Sequence, residues 1–369
     1  MNNKNFQTIF DCGSSKIRAG VFNIDDENNA FYAESKFLSN DSNLELEIHK
    51  IIAFFEKNTS EYINNINLMM DSSKMLSIGI SISKKLDGSK LRQANIQFLI
   101  QEAKQQVLKH YANYSILHII INSYRIDNID YSDLPDEIKC HFISLDIIFI
   151  CLPTDLILYF KNIFSKNNIF INQIICSSYV KSFNYKNDIS FTGYLSFIDI
   201  GFNKTSIISY FNDKIIFLDT LPVGGNHITK DISKILDLDL KKSEQIKLNF
   251  CQNHQFLNET NISLEILQKI ISSRTEEIIE LCTKSIKSNS SILGQSKILL
   301  MGDGSKILGN GHKDKFSIPN NLDHLEETLE GICHSGFKFG IGLNKQEVVV
   351  VPKKQIKQGF FEKLFHLFS

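Results

Sequence analysis

The chain opens with two short alternating segments separated by a polar turn. FQTIFD (6–11) and KIRAGVFN (16–23) predict two strands joined through Cys12-Gly13-Ser14-Ser15. Apolar side chains at helical spacing then predict helices over 44–57 and 91–110, with a strand at 76–82 between them. Strands are expected at 116–122 and about 138–151. A helix is expected at 154–166 behind Pro153 and Thr154, and a strand from 169. Near Tyr194 the opening pattern returns: YLSFIDI, a turn, TSIISYF and KIIFLDTL. Helices at about 227–238, 243–250 and 263–288, a strand at 297–301 and a further helix complete the series. Strands and helices in this mixture predict an α/β protein.

The recurrence extends to side chains. Phe10-Asp11-Cys12-Gly13-Ser14-Ser15-Lys16 and Ile198-Asp199-Ile200-Gly201-Phe202-Asn203-Lys204 share one grammar: apolar strand, Asp, any residue, Gly, two residues, Lys, second strand. A repeat at this distance implies two related halves. Each strand brings an Asp to the mouth of a cleft, and the Gly lets backbone approach a ligand. The turn amides, Ser14, Ser15 and Lys16, with Asn203, Lys204 and Thr205 in the second copy, are suited to phosphate oxygens. Asp11 and Asp199, facing one another, are candidates to hold Mg2+ through water. A single D-x-G is no more than a hairpin turn; two copies with two further glycine turns make a site. The first of these turns is Gly224-Gly225, followed by Asn226 as a candidate cap on a helix whose N-terminus suits phosphate. The second is Gly302-Asp303-Gly304-Ser305, which can lie against a nucleobase or ribose. Glu244 and Lys247 are placed to reach the ribose and base edge, unless they form a solvated helix face.

With 369 residues the chain is long enough for two domains and an insertion. A 43% hydrophobic and 22% charged composition is that of a globular protein, and a net charge of −1 argues against nucleic acid as a partner. Seven widely spaced cysteines without a C-x-x-C pair suggest reduced core thiols, and the histidines show no metal-ligand spacing. The polar N-terminus predicts no signal peptide, and no apolar run is long enough for a transmembrane helix.

The last residues, IKQGFFEKLFHLFS (356–369), put Ile356, Phe360, Phe361, Leu364, Phe365, Leu367 and Phe368 on one half of a helical wheel. Lys353, Lys354 and Lys357 give that helix a basic approach suited to anionic lipid. One such helix binds weakly, so tight attachment requires many of them on one assembly.

FDCGSSKI, FIDIGFNKTSI and ILLMGDGSKILG resemble the first phosphate loop, second phosphate loop and adenosine motif of the actin/Hsp70/sugar-kinase superfamily. LPVGGNHITKDIS and SEQIK are similar to the FtsA form of their regions, and 116–182 resembles the inserted 1C (SHS2-type) subdomain of FtsA. The resemblance implies an actin-like fold: duplicated RNase H-like halves around a nucleotide cleft. It places subdomain 1A at 1–80 and 167–190, 1C at 81–166 and subdomains 2A/2B at 191–345, with 2B at about 230–300. A linker at 346–355 and a membrane helix at 356–369 follow. It further implies ATP and Mg2+ as ligands and self-association into filaments. The implied partners are the FtsZ C-terminal tail, later divisome proteins through 1C, and anionic lipids. The implied location is the cytoplasmic face of the inner membrane at midcell. Phe202 and Asn203 stand where the family carries glycines, so at most weak ATPase activity is expected, with Lys204 as a compensating phosphate ligand. The alternatives are a PilM-like pilus assembly protein and a small-molecule kinase of the same superfamily.

Overall fold

The structure is a computed structural model, which describes residues 6–36, 44–135, 138–252, 262–289, 296–308, 322–342 and 347. The expected membrane helix and its basic approach (353–369) lie outside the described residues.

The first half is built on strands β1 (Phe6–Cys12), β2 (Lys16–Asn23), β3 (Asp26–Lys36), β4 (Asn65–Met70) and β9 (Phe170–Cys176), in the order β3-β2-β1-β4-β9. The second uses β10 (Tyr194–Ile200), β11 (Thr205–Phe211), β12 (Lys214–Leu221), β13 (Ser296–Met301) and β14 (Leu322–His324), in the order β12-β11-β10-β13-β14. The two sheets are topological copies: an antiparallel meander whose first strand continues into two parallel strands. The repeat also holds in detail. Gly13 N–H donates to Lys16 O and Gly201 N–H to Lys204 O, each at 2.9 Å.

Side-chain alternation along the strands joins the halves. In β13, Ile298 and Leu300 enter the second half's own core, while Leu299 and Met301 face the first half's core. Leu195 and Phe197 of β10 do the same against Ile198 and Ile200. Helices α5 (Gly225–Leu236), α6 (Leu240–Gln252) and α7 (Leu264–Asn289) belong to the second half, and α7 buries Leu267, Ile271, Ile278 and Cys282 in its core. Helix α1 (Leu44–Thr59) covers the first half, and α4 (Ser177–Asn187) and α8 (Leu329–Ile341) pack together between β1 and β11.

A third sheet is inserted between β4 and β9. It consists of β5 (Leu76–Lys85), β6 (Tyr114–Ile126), β7 (Ile129–Tyr131) and β8 (Phe142–Pro153), in the order β5-β8-β6-β7, with α2 (Gln93–His110) on one face. It begins at Leu76, inside the span expected for the first half. Helix α3 (Thr154–Lys166), expected to belong to the insertion, buries Ile157, Phe160, Ile163 and Phe164 in a core that the first half shares with Ile148, Ile150 and Leu152 of β8. The expected helix after Gly302 is a short 3-10 segment, Asp303–Leu308.

Among the described residues, no helix is long and apolar enough to cross a membrane. Six described cysteines are free and buried.

Candidate nucleotide cleft

Both glycine turns of the repeat open into one cleft of about 1210 Å³ between the halves. Asp11, Gly13, Ser14, Ser15 and Lys16 line it from β1–β2, and Asp199, Gly201, Asn203 and Lys204 line it from β10–β11. Gly225, Glu244, Lys247, Gly302 and Gly304 line the rest. Four residues expected there are used elsewhere. Thr205 is fully buried, and its hydroxyl donates to Val223 O at 2.7 Å. Ser305 gives its hydroxyl to Gly302 O and meets His324 Nε2 at 3.0 Å. Asn226 does not cap α5: it sits inside the first turn and donates to Asn203 Oδ1, while Gly224 holds the cap position. Gly224 itself is buried in backbone.

That last point changes the role of the Gly224-Gly225 turn. The Gly225 and Asn226 amides at the start of α5 donate to Gly201 O (2.9 Å) and Phe202 O (2.7 Å). These donors of the helix N-terminus are therefore committed to the turn after β10 rather than to a ligand. A Cβ at Gly224 would lie 2.5 Å from Gly201 O and 2.8 Å from Phe202 O. The residue is glycine because two backbone segments touch there. Gly302, at φ +87°, is needed for conformation and because a Cβ would overlap Asp199 Oδ1.

The charged groups pair with one another across the cleft. Lys204 Nζ lies 2.9 Å from Asp71 Oδ2 and donates to Ser206 Oγ, so its ammonium is held by these two partners. Lys181 of α4 lies 2.9 Å from Asp199 Oδ2 and 3.2 Å from Glu327 Oε1. Asp11 receives the Ser177 hydroxyl at 2.8 Å and faces its cross-strand neighbour Arg18 at 3.4 Å. Asp303 is held by Arg18, by Lys16 at 3.0 Å and by Lys306 at 2.9 Å. Lys247 donates to Gly225 O, Thr229 Oγ1 and Glu244 Oε2, so these candidate base-edge groups are tied to each other.

Burial opposes charge in the cleft, and at Asp71, Lys181 and Asp303 pairing decides the outcome. It would raise the Asp71 carboxyl, but Lys204 outweighs it and holds that group below its ordinary range. It would lower Lys181, but Asp199, Glu327 and Asp11 hold that ammonium well above its ordinary value. Burial would also raise Asp303, yet Arg18 and Lys16 keep it far below. Glu327 goes the other way: burial pushes it up despite Lys181, with Asp199 adding to the rise.

These observations separate two expected ligands. The cleft has room for a nucleotide, and the Gly13-Ser14 turn is exposed at its wall. The carboxylates expected to hold Mg2+ do not fit that role, because Asp11 faces a guanidinium and Asp199 an ammonium. Among the described residues, no group of three His, Cys, Asp or Glu side chains has the geometry to hold a metal.

Arg18, Asp71, Ser177, Lys181 and Glu327 were not anticipated from the sequence. Asp71 had a usable signal: it directly follows the apolar run LMM at the end of β4, as Asp11 and Asp199 come at the ends of β1 and β10.

The family model described as "Cell division protein FtsA" matches residues 196–345. The cell division protein FtsA of Buchnera aphidicola subsp. Acyrthosiphon pisum (strain APS) is 23% identical over 356 residues, covering 83% of this chain and 82% of that protein. The cell division protein FtsA of Neisseria meningitidis serogroup B is 34% identical over 96 residues, 22% of this chain and 23% of its own. Among solved structures, the PilM-PilN type IV pilus biogenesis complex superposes with a TM-score of 0.64 at 11% identity, covering 92% of this chain and 96% of that one; at this identity the likeness speaks for the fold alone. Over residues 196–345 the chain is similar to the FtsA cell division proteins, and its fold is the actin-like ATPase fold.

Proposed function

We propose that this protein is an FtsA-like adaptor that binds a nucleotide between its halves, self-associates into filaments and tethers an FtsZ ring to the cytoplasmic face of the inner membrane at midcell. The observation that carries this reading is the duplicated two-sheet cleft, lined by both glycine turns, in a chain whose residues 196–345 match the FtsA family. The nucleotide phosphates are assigned to the Gly13–Lys16 turn and the adenosine to the wall formed by Gly302, Gly304, Glu244 and Lys247. Hydrolysis is at most weak, since Lys204 is occupied by Asp71 and Ser206. Attachment is assigned to the 356–369 helix with Lys353, Lys354 and Lys357. The FtsZ tail is assigned to the helical region at about 230–300, and later division proteins to the inserted sheet.

The test is co-sedimentation with vesicles containing anionic lipid, with and without FtsZ. The full chain is expected to pellet and carry FtsZ with it, and a chain lacking 356–369 to do neither. A full chain that stays in the supernatant would refute the tethering role.

A second reading is a PilM-like assembly protein, whose fold the chain shares over 92% of its length. It predicts capture of a PilN peptide and no binding of the FtsZ tail.

A further inference from the structure

The cleft carries its own cation at the place where the two halves' carboxylates converge. Lys181 rises from α4 in the first half and ends 2.9 Å from Asp199 on β10 of the second. Its other partner, Glu327, receives the Gly302 amide at 2.7 Å and so is fixed to the second half's glycine turn. The lysine is 5% exposed and Asp199 is 5% exposed, so the ammonium is desolvated and held by protein oxygens. The repeat's other carboxylate, Asp11, is matched by Arg18 and Ser177, and Asp71 by Lys204.

We propose that Lys181 replaces a divalent metal in this cleft, so that the protein takes up nucleotide without Mg2+. The inference rests on the nucleotide reading above. A hydrated Mg2+ demands an octahedral shell of oxygens and usually reaches protein through one or two carboxylates. Asp199 has an ammonium in that position, and a dication placed beside it meets like charge in a medium that screens poorly. The lysine cannot yield by losing its proton, because the surrounding carboxylates keep it charged. Taking it away from Asp199 and Glu327 would leave buried charges without partners. Lys181 and Lys204 also cross between the halves, a bridging task otherwise open to a metal–phosphate group. What remains for the phosphates is the exposed Gly13-Ser14 turn.

Calorimetric titration of ATP into the full-length protein tests this in EDTA and again in MgCl2. Affinities agreeing within about twofold are expected, a difference well below the tenfold that a lost strong interaction produces. Binding seen only with Mg2+ overturns the metal-free site and leaves the nucleotide cleft standing. No binding in either buffer removes the nucleotide reading and this proposal together. A second arm uses Lys181→Met without nucleotide, which frees Asp199 and Glu327. Its melting temperature is expected to rise with added Mg2+, while the wild type does not respond. A folded Lys181→Met protein indifferent to Mg2+ marks the lysine as a structural ion pair only and overturns the proposal. If the variant does not fold, the wild-type titration decides.

Discussion

Lys204 and Asp71 meet across the cleft at 2.9 Å, one from the second glycine turn and the other from the end of β4. The second glycine turn is therefore fastened to the opposite half by its own lysine. The side chains are 16% and 6% exposed, so either one alone would be a poorly solvated charge. Lys204→Ala or Asp71→Ala is expected to destabilise by about 3–5 kcal/mol. The double variant should cost clearly less than the two added together, because it leaves no orphaned partner. Denaturant unfolding of the three proteins measures this; strict additivity would mean that the pair does not interact.

The same pair sets a pH dependence. Burial would raise Asp71, but Lys204 lowers it below its ordinary range, so the folded state holds the ionised form more strongly than the unfolded chain does. Its contribution is complete above the unfolded carboxylate value of about 3.9 and disappears as pH falls through the lower folded value. Glu327, raised by burial, works with the opposite sign. Comparing wild type with Asp71→Asn isolates the effect. The stability gap between them is expected to be constant from pH 7 to about 5 and to close on further acidification. A gap that widens in acid would reverse the assignment.

The repeat was legible because both copies place alternating strands around the same turn, which one short segment can encode by itself. Other elements carried no such local sign. Helix α4 reads SSYVKSFNYKN, yet it buries Ser177, Ser178, Tyr179, Val180, Lys181, Ser182 and Lys186. Enclosed on most sides, it has no apolar stripe for periodicity to detect. Strand β4 is six residues and opens with Asn-Ile-Asn, and β3 is largely polar. Helix α8 contains Gly331, Gly336 and Gly340, which locally read as breaks. The site divided along the same line. Asp11, Gly13, Asp199 and Gly201 belong to local motifs and were visible. Lys181 gains its meaning only from Asp199 and Glu327, which the chain supplies from other elements.

The two glycines of the Gly224-Gly225 turn are expected to respond differently to the same substitution. At Gly224 a methyl group would sit 2.5 Å from Gly201 O and 2.9 Å from Lys204 N, and both obstacles are backbone. At Gly225 the nearest atom is Lys247 Nζ at 3.5 Å, an ordinary contact. Gly224→Ala should therefore cost at least about 1–3 kcal/mol through overpacking. Gly225→Ala, on an α-helix, should stay near neutral or gain up to about 1 kcal/mol from helix propensity. Thermal melts of the two variants read this out. Equal losses would contradict the backbone contact at Gly224.

Glu347 pairs with the insertion far along the chain from its partner. Its carboxylate lies 2.5 Å from His118 Nδ1, and the residue bridges to Ile120 of β6. His118 is fully buried, and its Nε2 accepts the Cys176 amide at 2.9 Å. With Nε2 accepting, Nδ1 carries the proton and donates to Glu347. The histidine thus joins β6 of the insertion, the end of β9 and the residue that leads toward the C-terminal segment. Removing the carboxylate orphans a buried donor, so Glu347→Ala is expected to cost about 1–3 kcal/mol. Glu347→Gln keeps an acceptor oxygen and should recover at least half of that loss. Hydrogen exchange at the Cys176 amide gives a local readout, since its bond depends on the imidazole staying in place. Faster exchange in Glu347→Ala than in Glu347→Gln is expected, and identical protection in both would show that Glu347 does not orient the ring.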